Sequence, residues 1–196
     1  MWKVGLTGGM GSGKSVICKI FSTLGIPVFN ADSETKALYD TDSDLRRQLI
    51  QLLGEEIYKG KLLQRQVMAN KIFSNENLLH QVNALVHPVV SKKFETWAAK
   101  QDASYVLQEA AILFESGLAN YLDKCITVNA PENIRIRRVE ERNELAKEAI
   151  KQRMQQQWTD QQRAAKADFV IVNDDLQAVF PQVWHIHQQL MKELNK

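Results

Sequence analysis

Cysteine is scarce in this sequence of 196 residues, which contains two copies, Cys18 and Cys125. The two are far apart and do not form the close pairs that are typical of zinc sites or redox motifs. Cys18 falls in a segment with helical periodicity, and Cys125 falls in an apolar, strand-like run. We therefore predict two reduced core cysteines, as is usual in a cytoplasmic protein.

Long apolar runs are also missing. A membrane-spanning helix needs about 18 or more consecutive apolar residues, and no stretch of this sequence approaches that length. The N-terminus passes directly into a short strand-like segment, without the pattern of a signal peptide. We therefore expect a cytoplasmic protein that has no membrane partner.

Neither sign of charge is in large excess. The chain has 25 basic and 23 acidic residues, for a formal net charge of +2. Nucleic-acid-binding domains usually carry a marked basic surplus, so this balance favours a protein without a nucleic-acid partner. A hydrophobic content of 44% suits one globular domain of ordinary composition, for which we favour a monomer.

The most informative stretch is rich in glycine and lies near the N-terminus. Residues 8–15 read GGMGSGKS, which fits the P-loop pattern G-x-x-x-x-G-K-[ST]. An apolar segment precedes the stretch and apolar residues at helical spacing follow it, as the strand–loop–helix context of a P-loop requires. The alternative is a glycine-rich turn that binds no ligand.

The residue types of this loop have a chemical reason. Glycines allow several backbone N–H groups to converge on one phosphate, and the following helix adds its unpaired amides. Lys14 can reach the β- and γ-phosphates, and the Ser15 hydroxyl can bind Mg²⁺. The predicted nucleotide-binding residues are Gly8, Gly9, Gly11, Ser12, Gly13, Lys14, Ser15 and Val16.

Two carboxylates fall near the carboxyl ends of predicted strands, where ligands bind in open α/β sheets. Asp32 follows the strand predicted over residues 26–31. It can accept a proton from an attacking hydroxyl or cap the next helix. Glu109 lies near the end of the strand predicted over residues 104–110. It can hold Mg²⁺ through water or pair with a nearby basic residue.

Residues 55–100 show helical patterns and no convincing buried strand. One of the predicted helices opens with Pro88 at its first position. An insertion at this place often holds the acceptor in P-loop kinases, which is an argument by analogy. Arg65 is a candidate for binding an anionic acceptor, and His87 for contacting it. The alternatives are a solvated arginine and a histidine that satisfies the backbone at a helix junction.

An arginine-rich helix is predicted after the strand at residues 122–130. Arg138 and Arg142 are four residues apart and lie on one face of this helix. Their guanidinium groups can therefore act together on phosphates that gain charge during transfer. The alternative is a solvated helix that pairs its arginines with Glu140, Glu141 and Glu144.

The remaining segments complete the predicted fold. Residues 145–166 are polar, glutamine-rich and helical, with a capping box predicted from Thr159. This pattern predicts a mobile lid. A fifth strand is predicted over residues 168–173. The closing helix over residues 176–194 contains Pro181, which indicates a kink or a late start.

With these residues placed, the chain resembles the dephospho-CoA kinase family over nearly its whole length. The resemblance depends on an ordered set of segments, because the P-loop alone occurs in many families. Departures from the family pattern occur at Asn30, Glu109 and Ala111. The matching segments are GLTGGMGSGKS at 5–15, NAD at 30–32, Leu63-x-Arg65 with Phe73, LVHP at 85–88, AILFE at 111–115, the pair Arg138 and Arg142, Gln157, and ADFVI at 167–171.

The resemblance implies an α/β fold, namely a P-loop NTPase three-layer sandwich with a five-stranded parallel sheet, a helical substrate-binding insertion and a helical lid. It implies one domain over 1–196. The core would comprise about 1–54, 101–134 and 167–196, the acceptor-binding insertion about 55–100, and the lid about 135–166.

The resemblance also implies an activity and a set of site residues. The enzyme would transfer the γ-phosphoryl group of ATP, with Mg²⁺, to the ribose 3′-hydroxyl of dephospho-CoA, the last step of coenzyme A biosynthesis. The implied catalytic residues are Asp32, Lys14, Arg138 and Arg142. The implied substrate contacts are Asp32, Arg65, His87 and Glu115, although Glu115 is also suited to a structural pair with a nearby base.

Other functions are compatible with parts of this pattern. A P-loop kinase of another small hydroxylated metabolite, or of a nucleoside monophosphate, would share the loop and the arginines. A GTPase switch is disfavoured, because the sequence contains neither Asn-Lys-x-Asp nor Asp-x-x-Gly.

Overall fold

The computed structural model describes residues 1–73, 75–143 and 146–195. The chain forms two compact units, one of Met1–Phe29 with Gln101–Lys196 and the other of Asn30–Lys100. The strands are β1 (Trp2–Gly8), β2 (Val28–Asn30), β3 (Tyr58–Lys59), β4 (Leu62–Leu63), β5 (Tyr105–Glu109), β6 (Lys124–Asn129) and β7 (Phe169–Val172). The α-helices are α1 (Lys14–Thr23), α2 (Ala31–Thr41), α3 (Ser43–Leu53), α4 (Arg65–Phe73), α5 (Glu76–Ala98), α6 (Glu132–Asn143), α7 (Lys147–Gln155), α8 (Asp160–Ala164) and α9 (Val179–Leu194).

The sheet of the first unit has the strand order β2-β5-β1-β6-β7. The central strand β1 pairs in parallel with β5, where Leu6 lies opposite Glu109, and with β6 on its other side. Since parallel strands end at one edge, the loops after β1, β5, β6 and β7 gather there. The predicted α/β fold with five parallel strands is confirmed.

Two helices of the same unit cover the apolar side chains of the sheet. Ile17 and Phe21 of α1, with Val183 and Leu190 of α9, are completely buried in one cluster with strand residues. Burying each such side chain contributes roughly 1.5–3 kcal/mol of transfer free energy before conformational entropy is counted. The helix α9 starts late, so Pro181 lies in its first turn and interrupts no hydrogen-bonded turn.

Both cysteines are buried and free, as predicted. Cys18 lies on α1, where burial raises the pKa of its thiol to about 12. Cys125 lies on β6, and burial raises the pKa of its thiol to about 11. Neither thiol is a nucleophile near neutral pH, because the thiolate is the reactive form.

The second unit corrects one sequence prediction. No helix opens at Pro88; instead, α5 is continuous and contains Pro88 in its interior. Proline removes one backbone donor and disfavours a continuous helix. The buried stripe on α5 continues past the proline with a spacing of four residues, so tertiary packing keeps the helix intact. The stripe consists of Val82, Val86, Val90, Phe94 and Ala98.

This unit also contains a short antiparallel ribbon that the sequence did not predict. Strands β3 and β4 pair with Tyr58 opposite Leu63, and Gly60 has a φ of 65° in the turn between them. Two-residue strands have too little periodicity to be recognised in a sequence.

The boundary of this unit differs from that of the predicted insertion. Helices α2 and α3 pack with α5, so this compact unit begins at Asn30, whereas the predicted insertion begins at about residue 55. The predicted division of the chain into a core, an acceptor-binding insertion and a lid concerns function, and it stays a prediction.

Within the described ranges, no helix is both long enough and apolar enough to span a bilayer.

Candidate functional site

The glycine loop joins β1 to α1 at the edge where the parallel strands end. Gly13 is the N-cap of α1 and has a φ of 91°, in the left-handed region that favours glycine. Gly13 has no side chain that could cap this helix end, and the helix dipole adds positive potential there. Ser15 and Val16 lie in this first turn with exposed side chains.

Groups from other parts of the chain lie close to the glycines of the loop. A Cβ atom on Gly9 would lie 2.1 Å from Arg135 Nη1, and one on Gly11 would lie 2.5 Å from the backbone oxygen of Arg135. A Cβ atom on Gly13 would lie 2.2 Å from Asn173 Nδ2. The loop is therefore packed directly against α6 and against the segment that follows β7.

Gly11 and Gly25 offer a matched test of this packing, because both have left-handed backbones with φ of 78° and 81°. A Cβ atom on Gly25 meets no atom within 4 Å, whereas one on Gly11 meets the Arg135 backbone. We expect Gly25→Ala to cost about 1–2 kcal/mol of unfolding free energy through backbone strain alone. Gly11→Ala should cost a further 1–3 kcal/mol or so by overpacking. Urea unfolding measures both, and equal losses would contradict the contact with α6.

Two polar groups of the loop have defined surroundings. Lys14 Nζ donates hydrogen bonds to the carbonyl oxygens of Gly8, at 2.8 Å, and Gly9, at 3.4 Å. Its positive charge therefore lies over the loop. Ser12 Oγ is buried and has no hydrogen-bond partner in the described part of the chain.

Arg138 of α6 lies against the same loop. Its Nη1 is 3.4 Å from the carbonyl oxygens of both Gly11 and Ser12, and its Nη2 donates to Asn173 Oδ1 at 3.2 Å. Nη2 also forms a short ion pair with Asp175, and the guanidinium lowers the pKa of that carboxyl. The structure thus brings together the predicted residues Gly8–Ser15 and Arg138.

The other arginines of α6 lie in different surroundings. Arg137 pairs with Asp175 at 2.5 Å, and its Nε is 4.0 Å from Glu141 on its own helix. Glu144, which the alternative reading named as a partner, lies outside the described residues. Arg142 is exposed in the last turn of α6. Thus Arg138 contacts the loop, whereas Arg142 lies one turn farther along the helix.

Glu109 is buried at the end of β5, with 7% of its surface exposed. Burial is the main cause of the raised pKa of Cys18, the negative charge of Glu109 adds to it, and the positive charge of Lys14 opposes it. The charges of Glu109 and Lys14 therefore both act on the same buried thiol. A carboxylate here, with the Ser15 hydroxyl, is a hard-oxygen donor set of the kind that Mg²⁺ takes together with phosphates and water.

Glu115 makes the structural pair that was the alternative to a substrate contact. Its Oε1 accepts a hydrogen bond from the Trp158 amide at 3.1 Å and lies 3.8 Å from Arg163 Nη1. The Arg163 side chain is completely buried. Glu115 Oε2 is buried and has no hydrogen-bond partner within the described ranges.

Several residues at the loop are not among the predicted site residues. Asn173 and Asp175 follow β7 at the ligand-binding edge, and that position was a usable signal. Arg135 and Arg163 gave no signal, because a charged residue on a helix is usually solvated. Gln157 was noted only as part of the family resemblance, although its side chain reaches Met10 in the loop.

The remaining predicted residues belong to the second unit. Asp32 is in the first turn of α2, and the N-cap of that helix is Asn30, whose side chain accepts the Ser33 amide at 2.7 Å. The interpretation of Asp32 as the helix cap is therefore wrong. Arg65 begins α4 with more than half of its side chain exposed, and it lies 3.9 Å from Asp40.

His87 lies in the interior of α5, one residue before Pro88, so it is not at a helix junction. Burial lowers the pKa of its imidazole from the ordinary 6.5. The unfolded chain therefore binds a proton at a higher pH than the folded chain. Stability from neutral His87 is fully present above about pH 6.5 and declines as the pH falls towards the folded pKa.

This linkage predicts an acid-side loss of stability that depends on His87. Urea unfolding of the wild type between about pH 5 and 8 should show stability falling below the ordinary histidine pKa. In His87→Gln this part of the slope should disappear. An NMR titration midpoint of His87 at or above 6.5 would contradict the burial effect.

A parallel sheet with a glycine loop, a loop lysine and an arginine on the loop defines a P-loop phosphotransferase. The family model described as dephospho-CoA kinase matches residues 2–178. Dephospho-CoA kinase of Porphyromonas gingivalis is 41% identical over 187 residues, which cover 95% of this chain and 93% of that protein. Dephospho-CoA kinase of Bacteroides fragilis is 35% identical over 194 residues, which cover 98% and 95%. A crystal structure of a Thermus thermophilus protein aligns with a TM-score of 0.83, 27% identity and coverage of 98% and 97%. The chain belongs to the dephospho-CoA kinase family.

Proposed function

We propose that the residues described above divide the work of one phosphoryl transfer between a donor site and an acceptor site. The chain is a kinase that uses ATP to phosphorylate dephospho-CoA, which gives coenzyme A and ADP in coenzyme A biosynthesis. The observation that supports the donor site best is the packing of Lys14 and Arg138 on the same glycine loop.

On the donor side, the glycine loop at Gly8–Ser15 and the Lys14 ammonium group hold the β- and γ-phosphates, whereas the Met10 and Ser12 amides order the loop itself. These groups are fixed before the reaction, so they stabilise charge without the cost of reorganisation. Arg138 already lies at the loop, and its guanidinium suits oxygens that gain charge during transfer. Arg142 joins it as part of the lid.

A cavity beside the loop is suited to the nucleoside portion of ATP. This cavity has a volume of about 310 Å³ and lies at the ends of β6 and β7. Its lining includes Pro131, Arg135, Asp160 and Asp174. Arg135 also touches Gly9 of the loop, so the cavity adjoins the phosphate-binding backbone.

Mg²⁺ is the metal that this donor set fits. Ser15 would bind it directly and Glu109 through water, and the ion would neutralise charge on the β- and γ-phosphates. No cluster of three or more histidine, cysteine or acidic side chains suited to a metal occurs in the described part of the chain. The ion would therefore depend on phosphate oxygens for much of its coordination.

On the acceptor side, Asp32 accepts or orients the proton of the ribose 3′-hydroxyl. Arg65 provides a positive charge for an acceptor phosphate, and His87, neutral near pH 7 because burial lowers its pKa, provides a ring nitrogen. Glu115 is the remaining candidate for a substrate contact. Most of the catalysis is positioning and charge stabilisation, since phosphoryl transfer needs little covalent chemistry from the protein.

The direct experiment is to incubate the purified protein with ATP, Mg²⁺ and dephospho-CoA and to follow coenzyme A by mass spectrometry. Parallel reactions with AMP, with another nucleoside monophosphate and with no acceptor report ADP release. Formation of coenzyme A with a marked preference for dephospho-CoA is expected. Equal or greater turnover with a nucleoside monophosphate would identify the alternative kinase instead.

A further inference from the structure

The turn at the tip of the glycine loop is held from outside the loop. Within the turn, the Ser12 amide donates to the Gly9 carbonyl at 3.1 Å, and Gly11 has a φ of 78°. A positive φ at the third position of such a turn is the feature that requires glycine in a type II turn. The Met10 amide donates to Gln157 Oε1 at 2.8 Å.

The Met10 side chain adds a second contact in the same place. It is half-buried and packs against a small apolar cluster formed by α6 and α7. The members of this cluster are Ile136, Val139 and Ile150, and Met154 packs against it as Met10 does. Both the amide and the side chain of Met10 therefore fix the orientation of the turn.

Gln157 is itself held in place by its neighbours. Its amide donates to the Met154 carbonyl at 3.1 Å, which ties it to the end of α7. The next residue, Trp158, stacks on Phe114, with 6.0 Å between ring centroids and 11° between planes. The Trp158 amide donates to Glu115, in the segment that follows β5.

Arg163 anchors the other end of this segment. Its buried guanidinium bonds the Trp158 carbonyl and forms a 2.5 Å ion pair with Asp160 Oδ1. Asp160 Oδ2 accepts a hydrogen bond from the Ala130 amide at 3.1 Å, in the segment that follows β6. Residues 157–163 are therefore bonded to the segments after β1, β5 and β6, which is the edge that holds the phosphates.

We propose that Gln157 is a positioning residue of the donor site, which keeps the Met10 turn in the conformation that binds nucleotide phosphates, and that Arg163 anchors it. This inference rests on the proposed role of the loop in binding ATP. Residues 157–163 then belong to the fixed part of the site, and a lid that moves would end before Gln157. The gain in nucleotide affinity comes from preorganisation, because a turn that is already ordered loses less entropy when it binds a phosphate.

The test compares Gln157→Leu with Gln156→Leu, which makes the same change at an exposed neighbouring position. The readout is the dissociation constant of Mg·ADP, measured by titration calorimetry on the full chain without acceptor. We expect Gln157→Leu to weaken ADP binding by about three- to tenfold, the range of one net hydrogen bond. The control variant should bind ADP like the wild type.

A second readout reports on the turn itself. The chain has five methionines, so selective ¹⁵N-methionine labelling gives few amide signals, and a Met10→Leu variant assigns the one of interest. Amide exchange at Met10 should be at least about threefold faster in Gln157→Leu than in the control, because the hydrogen bond protects it. The conservative variant Arg163→Lys should also weaken ADP binding and speed amide exchange at Met10.

The outcomes separate this inference from the proposed reaction. If Gln157→Leu keeps the ADP affinity and the Met10 exchange rate of the control, the positioning role is overturned. If ADP binding and exchange change as expected but the wild type makes no coenzyme A, the proposed acceptor fails while the role of Gln157 stands.

Discussion

Replacing Lys14 by alanine is expected to lower kcat/KM for ATP by about 10²–10³-fold, the usual loss when one preorganised charge-stabilising donor is removed. The Lys14 ammonium group bonds the carbonyl oxygens of Gly8 and Gly9 and so lies where the transferred phosphoryl group would be held. A coupled assay for ADP release at varied ATP concentration measures the effect. The fold should survive, because the side chain lies at the loop rather than in the sheet core.

Lys19→Ala is the matched control for this change. Lys19 is an exposed lysine on the same helix, α1, and takes part in no proposed contact with the nucleotide. It should keep wild-type kinetics, and both variants should unfold at similar urea concentrations. Wild-type activity in Lys14→Ala would overturn the assignment of the loop as the phosphate site.

Replacing Asp32 by asparagine is expected to lower kcat by about 10²–10⁴-fold, the range for loss of a general base. The KM for ATP should change little, because the proposed role of Asp32 concerns the acceptor hydroxyl. The amide keeps the size of the side chain but cannot accept the proton. Initial rates at saturating dephospho-CoA and varied ATP separate the two parameters.

The structure provides two controls for Asp32. Asn30 caps α2, so Asn30→Ala should lose about 0.5–2 kcal/mol of unfolding free energy, whereas Asp32→Asn should lose less. Asp44→Asn changes an exposed aspartate on α3 and should leave kcat unaltered. An Asp32→Asn enzyme with normal kcat would reduce Asp32 to a favourable charge in the first turn of a helix.

Much of the fold was predictable because local patterns and tertiary packing agree. The apolar runs that form β1, β5 and β6 are buried in the sheet and therefore read as strands in the sequence. The capping box at Thr159 has the predicted geometry, with Gln162 as its partner. Gly25 follows the C-cap of α1 with a φ of 81°, as a helix stop requires.

The wrong predictions arise where local and tertiary preferences conflict. Pro88 favours a helix start, but the buried face of α5 continues on both sides of it. Aspartate is a residue type that often caps helices, but Asn30, two residues before Asp32, has the extended backbone that a cap needs. In both cases the residue type is compatible with the start of a helix, but packing or backbone geometry places the start at a different residue.

The sequence by itself determined the glycine loop, the chain order of the five strands of the main sheet, and the family. These properties depend on residue type and spacing along the chain, which a sequence contains in full. Only the tertiary structure decided which side chains surround the loop. Arg135, Gln157, Arg163 and Asn173 are distant from Gly8–Ser15 in sequence, and the parallel sheet brings them to it because its strands all end at one edge.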